Sequence, residues 1–277
     1  MMARRDQANL AGAAKKFALG AALAASLASC GPRHDASASP ARAGPALDAE
    51  RAYRAAPSAL AATLLADGRI QIAGQAHPGA RIRLATPSGQ VVFADTATDG
   101  GWMVILSPAS TLRLFGLSMI ESGRSLQSEG YLAVTPRGQA AQLRAGAGAL
   151  VLTTGPARLR ILAMDFDRKG GTVVSAQASP GAMVALQVDG SPRGRLAAGA
   201  DGRVSMALDE PLAAGPHHFE IADGRARAQL AADMAPAGPV GDGPFRASRS
   251  PGGWRIDWMT PGGGVQTTLR ITAVEGG

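Results

Sequence analysis

One phrase of the sequence is spoken twice at a fixed distance. Gln75, Ala76, His77, Pro78, Gly79 and Ala80 lead into the alternating run Arg81, Ile82, Arg83, Leu84, and 102 residues later Gln177, Ala178, Ser179, Pro180, Gly181 and Ala182 lead into Met183, Val184, Ala185, Leu186. The same offset carries Asp99-Gly100, ahead of Trp102, Val104 and Leu106, onto Asp201-Gly202, ahead of Val204, Met206 and Leu208. No gap separates the blocks. An ungapped period near a hundred residues is the size of a small sheet sandwich, so the chain is expected to hold two copies of one module.

Within a copy the punctuation is that of short strands. Asp67-Gly68 reverses the chain before Ile70 and Ile72, Pro78-Gly79 turns it into Ile82 and Leu84, Ser88-Gly89 into Val91 and Phe93, and Asp99-Gly100 into Trp102. Thirty-six Gly and eighteen Pro suit many tight turns better than long helices, and with aromatics at only 4% the cores must be aliphatic. The expected fold is all-β, with one module over 58–137, a linker over 138–157 and a second module over 158–236. Trp102 reads as core filler, because Val104 and Leu106 share its face. The linker run Arg144 to Ala149 is no dinucleotide loop, since the third glycine of GxGxxG falls at Val151; a flexible or partly strand-forming connector is expected.

The apolar strand before Gly74, the Pro78-Gly79-Ala80 turn and the Asp99-Gly100 turn before Trp102 resemble the bacterial immunoglobulin-like modules of secreted and cell-surface proteins. The resemblance covers roughly residues 58 to 236. It implies tandem immunoglobulin-like β-sandwiches, used as spacers, adhesin parts or substrate-presenting modules, and it names no ligand.

The first 29 residues read as a secretion signal: bases ending at Lys15-Lys16, then an apolar helix from Phe17 to Leu27 too short to span a bilayer permanently. Leu27-Ala28-Ser29-Cys30 resembles the lipobox of bacterial lipoproteins, which implies cleavage before Cys30 and lipid on its sulfur. Cys30 is the one cysteine of the sequence, so it has no disulfide partner within it. Gly31 stands where an inner-membrane retention signal would place Asp. By resemblance the protein is a lipid-anchored component of the bacterial cell envelope, at the outer membrane facing the periplasm. Residues 30–57, rich in Ala, Pro, Ser and Arg, read as a disordered tether. The net charge of +7 falls once the leader is removed, leaving 24 bases against 20 acids, and the arginines form no stripe; nucleic acid is not an expected partner.

The tail, 237–277, is expected to end in a β-hairpin. Trp254, Ile256 and Trp258 share one face of a strand, and Pro261 to Gly264 turns the chain into Val265, Thr267, Leu269 and Ile271. Two tryptophans four residues apart stand roughly 13 Å from each other. They suit two sugar rings of an envelope glycan, with Arg255 nearby for acidic groups. Alternatively the apolar face packs on module two, since a lone hairpin is not stable.

Signatures of catalysis are missing: no HExxH, no GxSxG around Ser125, no phosphate loop at Lys169, and adjacent His217 and His218 point to opposite strand faces. Asp165, Asp167, Asp189 and Asp201 each adjoin a turn signal, which accounts for them without calcium. The sequence therefore predicts no enzyme, no metal and no cofactor beyond the lipid on Cys30. It predicts non-catalytic modules that bind or space an envelope protein or glycan, or that serve as accessory subunit to an envelope enzyme.

Overall fold

The computed structural model describes residues 55–152, 158–241 and 243–271. The leader 1–29, Cys30 and the tether up to Arg54 lie outside the described residues, which contain strands and no helix.

Module one is built from β1 (Ser58–Leu64), β2 (Ile70–Gln75), β3 (Arg81–Ala85), β4 (Val91–Asp95), β5 (Gly101–Leu106), β6 (Arg113–Glu121) and β7 (Arg124–Gln127), followed by β8 (Tyr131–Val134), β9 (Ala140–Leu143) and β10 (Leu150–Val151). One sheet runs β1-β2-β5; the other runs β10-β9-β8-β6-β3-β4, with β7 also on β6. Module two comprises β11 (Arg160–Asp167), β12 (Thr172–Gln177), β13 (Met183–Val188), β14 (Ser191–Ala197), β15 (Arg203–Ala207), β16 (Pro216–Ala222) and β17 (Arg227–Asp233). The tail supplies β18 (Phe245–Ser250), β19 (Gly253–Met259) and β20 (Val265–Leu269). Here the sheets are β15-β12-β11-β20-β19-β18 and β14-β13-β16-β17. All pairings are antiparallel. Each module is an immunoglobulin-like sandwich whose two sheets bury alternate side chains: Ile72, Ile82, Leu84 and Met119 in the first, Val174, Val184, Leu186 and Ile221 in the second. Each such residue contributes about 1.5 to 3 kcal/mol by leaving water.

The doubled phrase is a structural clamp. In module one the Gln75 side-chain amide donates to the Asp99 carbonyl, while Ala76 N donates to Gly100 O at 2.9 Å. In module two Gln177 donates to Asp201 O at 3.1 Å and Ala178 N to Gly202 O at 2.8 Å. Gly100 and Gly202 sit at φ of +82° and +74°, and a Cβ on either would strike the Ala76 or Ala178 carbonyl. Gln-Ala and Asp-Gly, 24 residues apart, thus form one device closing the same end of each sandwich. The Pro-Gly pairs make type II turns, with Ala80 N donating to His77 O and Ala182 N to Ser179 O. Even the irregularity is copied: the β1–β2 register breaks between Ala59 and Ala61, and the β11–β12 register between Ile161 and Ala163.

Divergence between the copies is compensated in pairs. Trp102 lies across from Gly74 on the neighbouring strand, and a Cβ at Gly74 would approach the Trp102 ring to 2.3 Å and Ser58 O to 2.0 Å. The equivalent pair in module two is Ala176 opposite Val204. The smaller residue opposite lets the strand carry a methyl group. Trp102 itself is buried at 4% exposure in the module-one core, as its period-two neighbours predict.

The segment 138–157, expected as a linker, is in part sheet. Ala140–Leu143 pairs with β8, and Leu150 and Val151 pair back onto β9. The residues of β9 are buried on both faces, which erases the alternation that would have announced a strand. Gly74→Ala is expected to lower unfolding free energy by at least the roughly 1 to 3 kcal/mol of an overpacked core. Gly74→Ala combined with Trp102→Val should cost less than the two single changes added, as a urea double-mutant cycle would read.

Candidate functional site

The tail hairpin is where the molecule departs from its repeat. Its inner strand β20 pairs with β11, Met164 facing Leu269 and Asp167 facing Gln266, so the hairpin extends the sheet of module two. Successive side chains on β19 then point to opposite sides. Trp254, Ile256 and Trp258 face module one, where they form a core with Leu112 and Leu114 near or on β6, Ala133 on β8, and Ala141 and Leu143 on β9. Module one's extra strands and module two's extra strands thus meet face to face. The apolar face expected to settle on module two lies instead on module one, and only the hairpin's edge and opposite face belong to module two.

Trp258 is 0% exposed; its ring meets Tyr131 edge-on at 5.9 Å, and its Nε1 donates to Thr268 Oγ1 at 3.1 Å. Trp254 is 7% exposed, with the Arg249 guanidinium stacked over its ring at 4.2 Å. Neither ring has a free face to offer a sugar. Nor does Arg255 stand beside them: it lies on the other face, its Nε donating to Asp257 Oδ1 at 3.0 Å and its Nη2 to the Ala235 carbonyl at 2.7 Å. Asp257, 2% exposed, also accepts from Arg246 at 2.8 Å and from Thr267 at 2.7 Å. The pairing of Trp254, Trp258 and Arg255 into a glycan platform fails on this geometry, since the rings are spent on the junction and the arginine on a buried carboxylate.

A second buried carboxylate sits on the Trp face. Asp165, 2% exposed, accepts from Ala149 N at 2.7 Å, from Gln266 Nε2 at 3.1 Å and from Thr268 Oγ1 at 2.5 Å. Gln266 turns its other end to Gly146 N at 3.1 Å. Connector, module two and hairpin are thereby tied at one point. The donors to Asp165 are all neutral, so burial dominates and pushes its carboxyl up to about 6. The sequence did hold a signal for this residue: under the 102-residue offset Asp165 replaces Thr63, a break in the repeat on the strand that recruits the hairpin. The other acids weighed for calcium are engaged locally. Asp167 accepts from Lys169 N and Gly171 N, Asp189 from His217 and His218 N, and Asp201 from Arg203 N. No cluster of three His, Cys, Asp or Glu able to hold a metal occurs among the described residues.

No protein-family model matches the chain, and no curated protein matches it. Among solved structures it is similar to the BSP domain of a biofilm-associated protein, at 14% identity over 66% of this chain and with a TM-score of 0.23. The chain spans 30% of the length of that structure. It is also similar to the central fibronectin-III array of RIM-binding protein, at 11% identity over 78% of this chain and 89% of the other, with a TM-score of 0.26.

Two outcomes are expected of the junction. Trp258→Ala should cost about 3 to 5 kcal/mol, the usual loss for a fully buried large aromatic, measured by urea unfolding. The folded chain holds the Asp165 proton to a higher pH than the unfolded chain, whose carboxyl titrates near 3.8. Stability should therefore fall as pH climbs from about 4 to about 6, by at most about 3 kcal/mol, and level off above. In Asp165→Asn that slope should vanish from a urea series across the same pH range.

Proposed function

We propose that the chain is a lipid-anchored protein of the bacterial cell envelope whose two immunoglobulin-like sandwiches act as a single stiff, non-catalytic arm. The observation that carries the arm is the junction core, in which Trp254, Ile256 and Trp258 of the tail close on Leu114, Ala133 and Leu143 of module one. Tandem sandwiches joined by an open linker turn independently; two that share a dry core and the Asp165 network cannot rotate without exposing both. Support for the anchor is the Leu27-Ala28-Ser29-Cys30 sequence, with each methylene of an acyl chain adding about 0.8 kcal/mol of membrane attachment. Gly31 favours the outer membrane, with the arm in the periplasm. The partner, an envelope protein or glycan, is met by surfaces other than the Trp pair.

Two measurements test the two halves. Cys30→Ser should move the protein from the membrane to the soluble fraction; a variant still sedimenting with membranes at high salt sinks the anchor. In that background, spin labels at Asp95→Cys and Ser191→Cys, one in each module, should give one narrow distance distribution. Trp258→Ala should broaden it. A broad distribution in both proteins refutes the stiff arm.

A further inference from the structure

A cleft of about 1020 Å³ opens at one end of module one, bounded by the β3–β4 turn, the end of β5, the start of β6 and the stretch just before β18. Its size is that of a small-molecule site. Val92, Ile105, Leu112, Pro108 and Phe245 give it apolar walls, and Thr86, Ser88, Ser110 and Thr111 line it with hydroxyls. Among the described residues of its lining Arg113 alone is charged.

Arg113, like Arg160, carries shielded guanidinium donors, and of the two only Arg113 lines the cleft. Its Nε and Nη2 are shielded from water and have no hydrogen-bond partner among the described residues, and the guanidinium rests over the Phe115 ring at 5.6 Å. Arg255 shows the contrast: the same group, partly buried, is matched by the Asp257 carboxylate and the Ala235 carbonyl. A cation shielded without a partner is costly and calls for an explanation, which a ligand in the cleft would supply. The repeat supplies an independent observation. Leu84 faces Leu117 whereas its counterpart Leu186 faces Ile221, so Arg113 corresponds in module two to His217, and that base is matched by Asp189 at 2.6 Å where Arg113 is not. The cleft also owes one wall to Pro244 and Phe245, so it is complete only when the tail has docked.

We infer that this cleft binds an organic carboxylate with an apolar body, its headgroup on Arg113 and its chain along the Val92, Ile105 and Phe245 wall. The planar guanidinium fork matches one carboxylate in a bidentate way. With no second base among the described residues of the lining, a doubly charged phosphate would be left half neutralised. The lining hydroxyls suit the polar substituents of such a ligand. The inference is independent of how the chain is anchored, since it uses residues of the sandwich and tail only.

The test uses the full-length chain in nanodiscs of zwitterionic lipid, titrated by calorimetry with hexanoate and with its neutral isostere hexanamide. Hexanoate should bind at least tenfold more tightly, and Arg113→Gln should erase that preference without lowering the melting temperature, because an unmatched charge is removed. Ser110→Trp, a change in an exposed loop, should block the cleft and abolish binding with the fold intact. Arg160→Gln, at an arginine outside the cleft whose Nε and Nη2 are likewise shielded and without a hydrogen-bond partner among the described residues, should leave hexanoate binding unchanged. Equal affinity for hexanoate and hexanamide overturns the inference. So does a preference retained in Arg113→Gln or Ser110→Trp, and so does inorganic phosphate displacing hexanoate at equal concentration.

Discussion

A β-strand shows its side chains to two sides in turn, and a hairpin added to the edge of a sandwich therefore always has a second face to hide. That constraint organises the molecule. Once β20 pairs with β11, Leu269 falls into the module-two core while Trp254, Ile256 and Trp258 are turned outward. Three such residues left in water would forfeit several kilocalories per mole. Module one meets the need by prolonging its own sheet through β8, β9 and β10, which present Ala133, Ala141 and Leu143. Small residues on that side leave room for indole rings on the other.

Two copies of one sandwich would by themselves leave identical exposed ends and no reason to hold a fixed angle. The asymmetry comes from what each copy has gained outside the repeat. Module one gains strands after its seventh; module two gains the hairpin next to its first. Long β6 makes the first addition possible, because its second half pairs with β7 and its first half with β8. Leu117, Met119, Phe219 and Ile221 are all fully buried, although the pairing has moved by two residues between the copies: Leu84 faces Leu117, whereas its counterpart Leu186 faces Ile221.

The parts of this arrangement legible in the sequence are those governed by local chemistry. Asp-Gly and Pro-Gly turns announce themselves through the conformations they demand, and a strand with one wet face announces itself through alternation. β3, with Ile82 and Leu84 buried between more exposed arginines, was readable for that reason. β9 was not, since Ala140–Leu143 is buried throughout. Period two also says which residues share a face without saying what covers it. Trp254 and Trp258 were correctly placed together, yet whether sugar or protein lay against them depended on strands of module one more than a hundred residues away. The clearest guide to the junction was the one least tied to any motif, the places where the second copy stops repeating the first.

The polar side of the junction is best understood through register. A one-residue slip of β20 along β11 would turn Gln266 and Thr268 away from Asp165 and bring Thr267 round, taking it from Asp257. Two buried carboxylates would then lose partners at once, one on each face of the same strand. Apolar contacts alone are more forgiving of such a slip, because a threonine or leucine fills space wherever it lands. Burying Asp165 among neutral donors is a poor way to add stability, as its raised proton affinity shows. It is an effective way to make every alternative pairing worse, and the fixed pairing in turn holds Trp258 against Tyr131 and Phe245 against the rim of the Arg113 cleft. The geometry of one module's mouth is in this sense set by hydrogen bonds buried between the two.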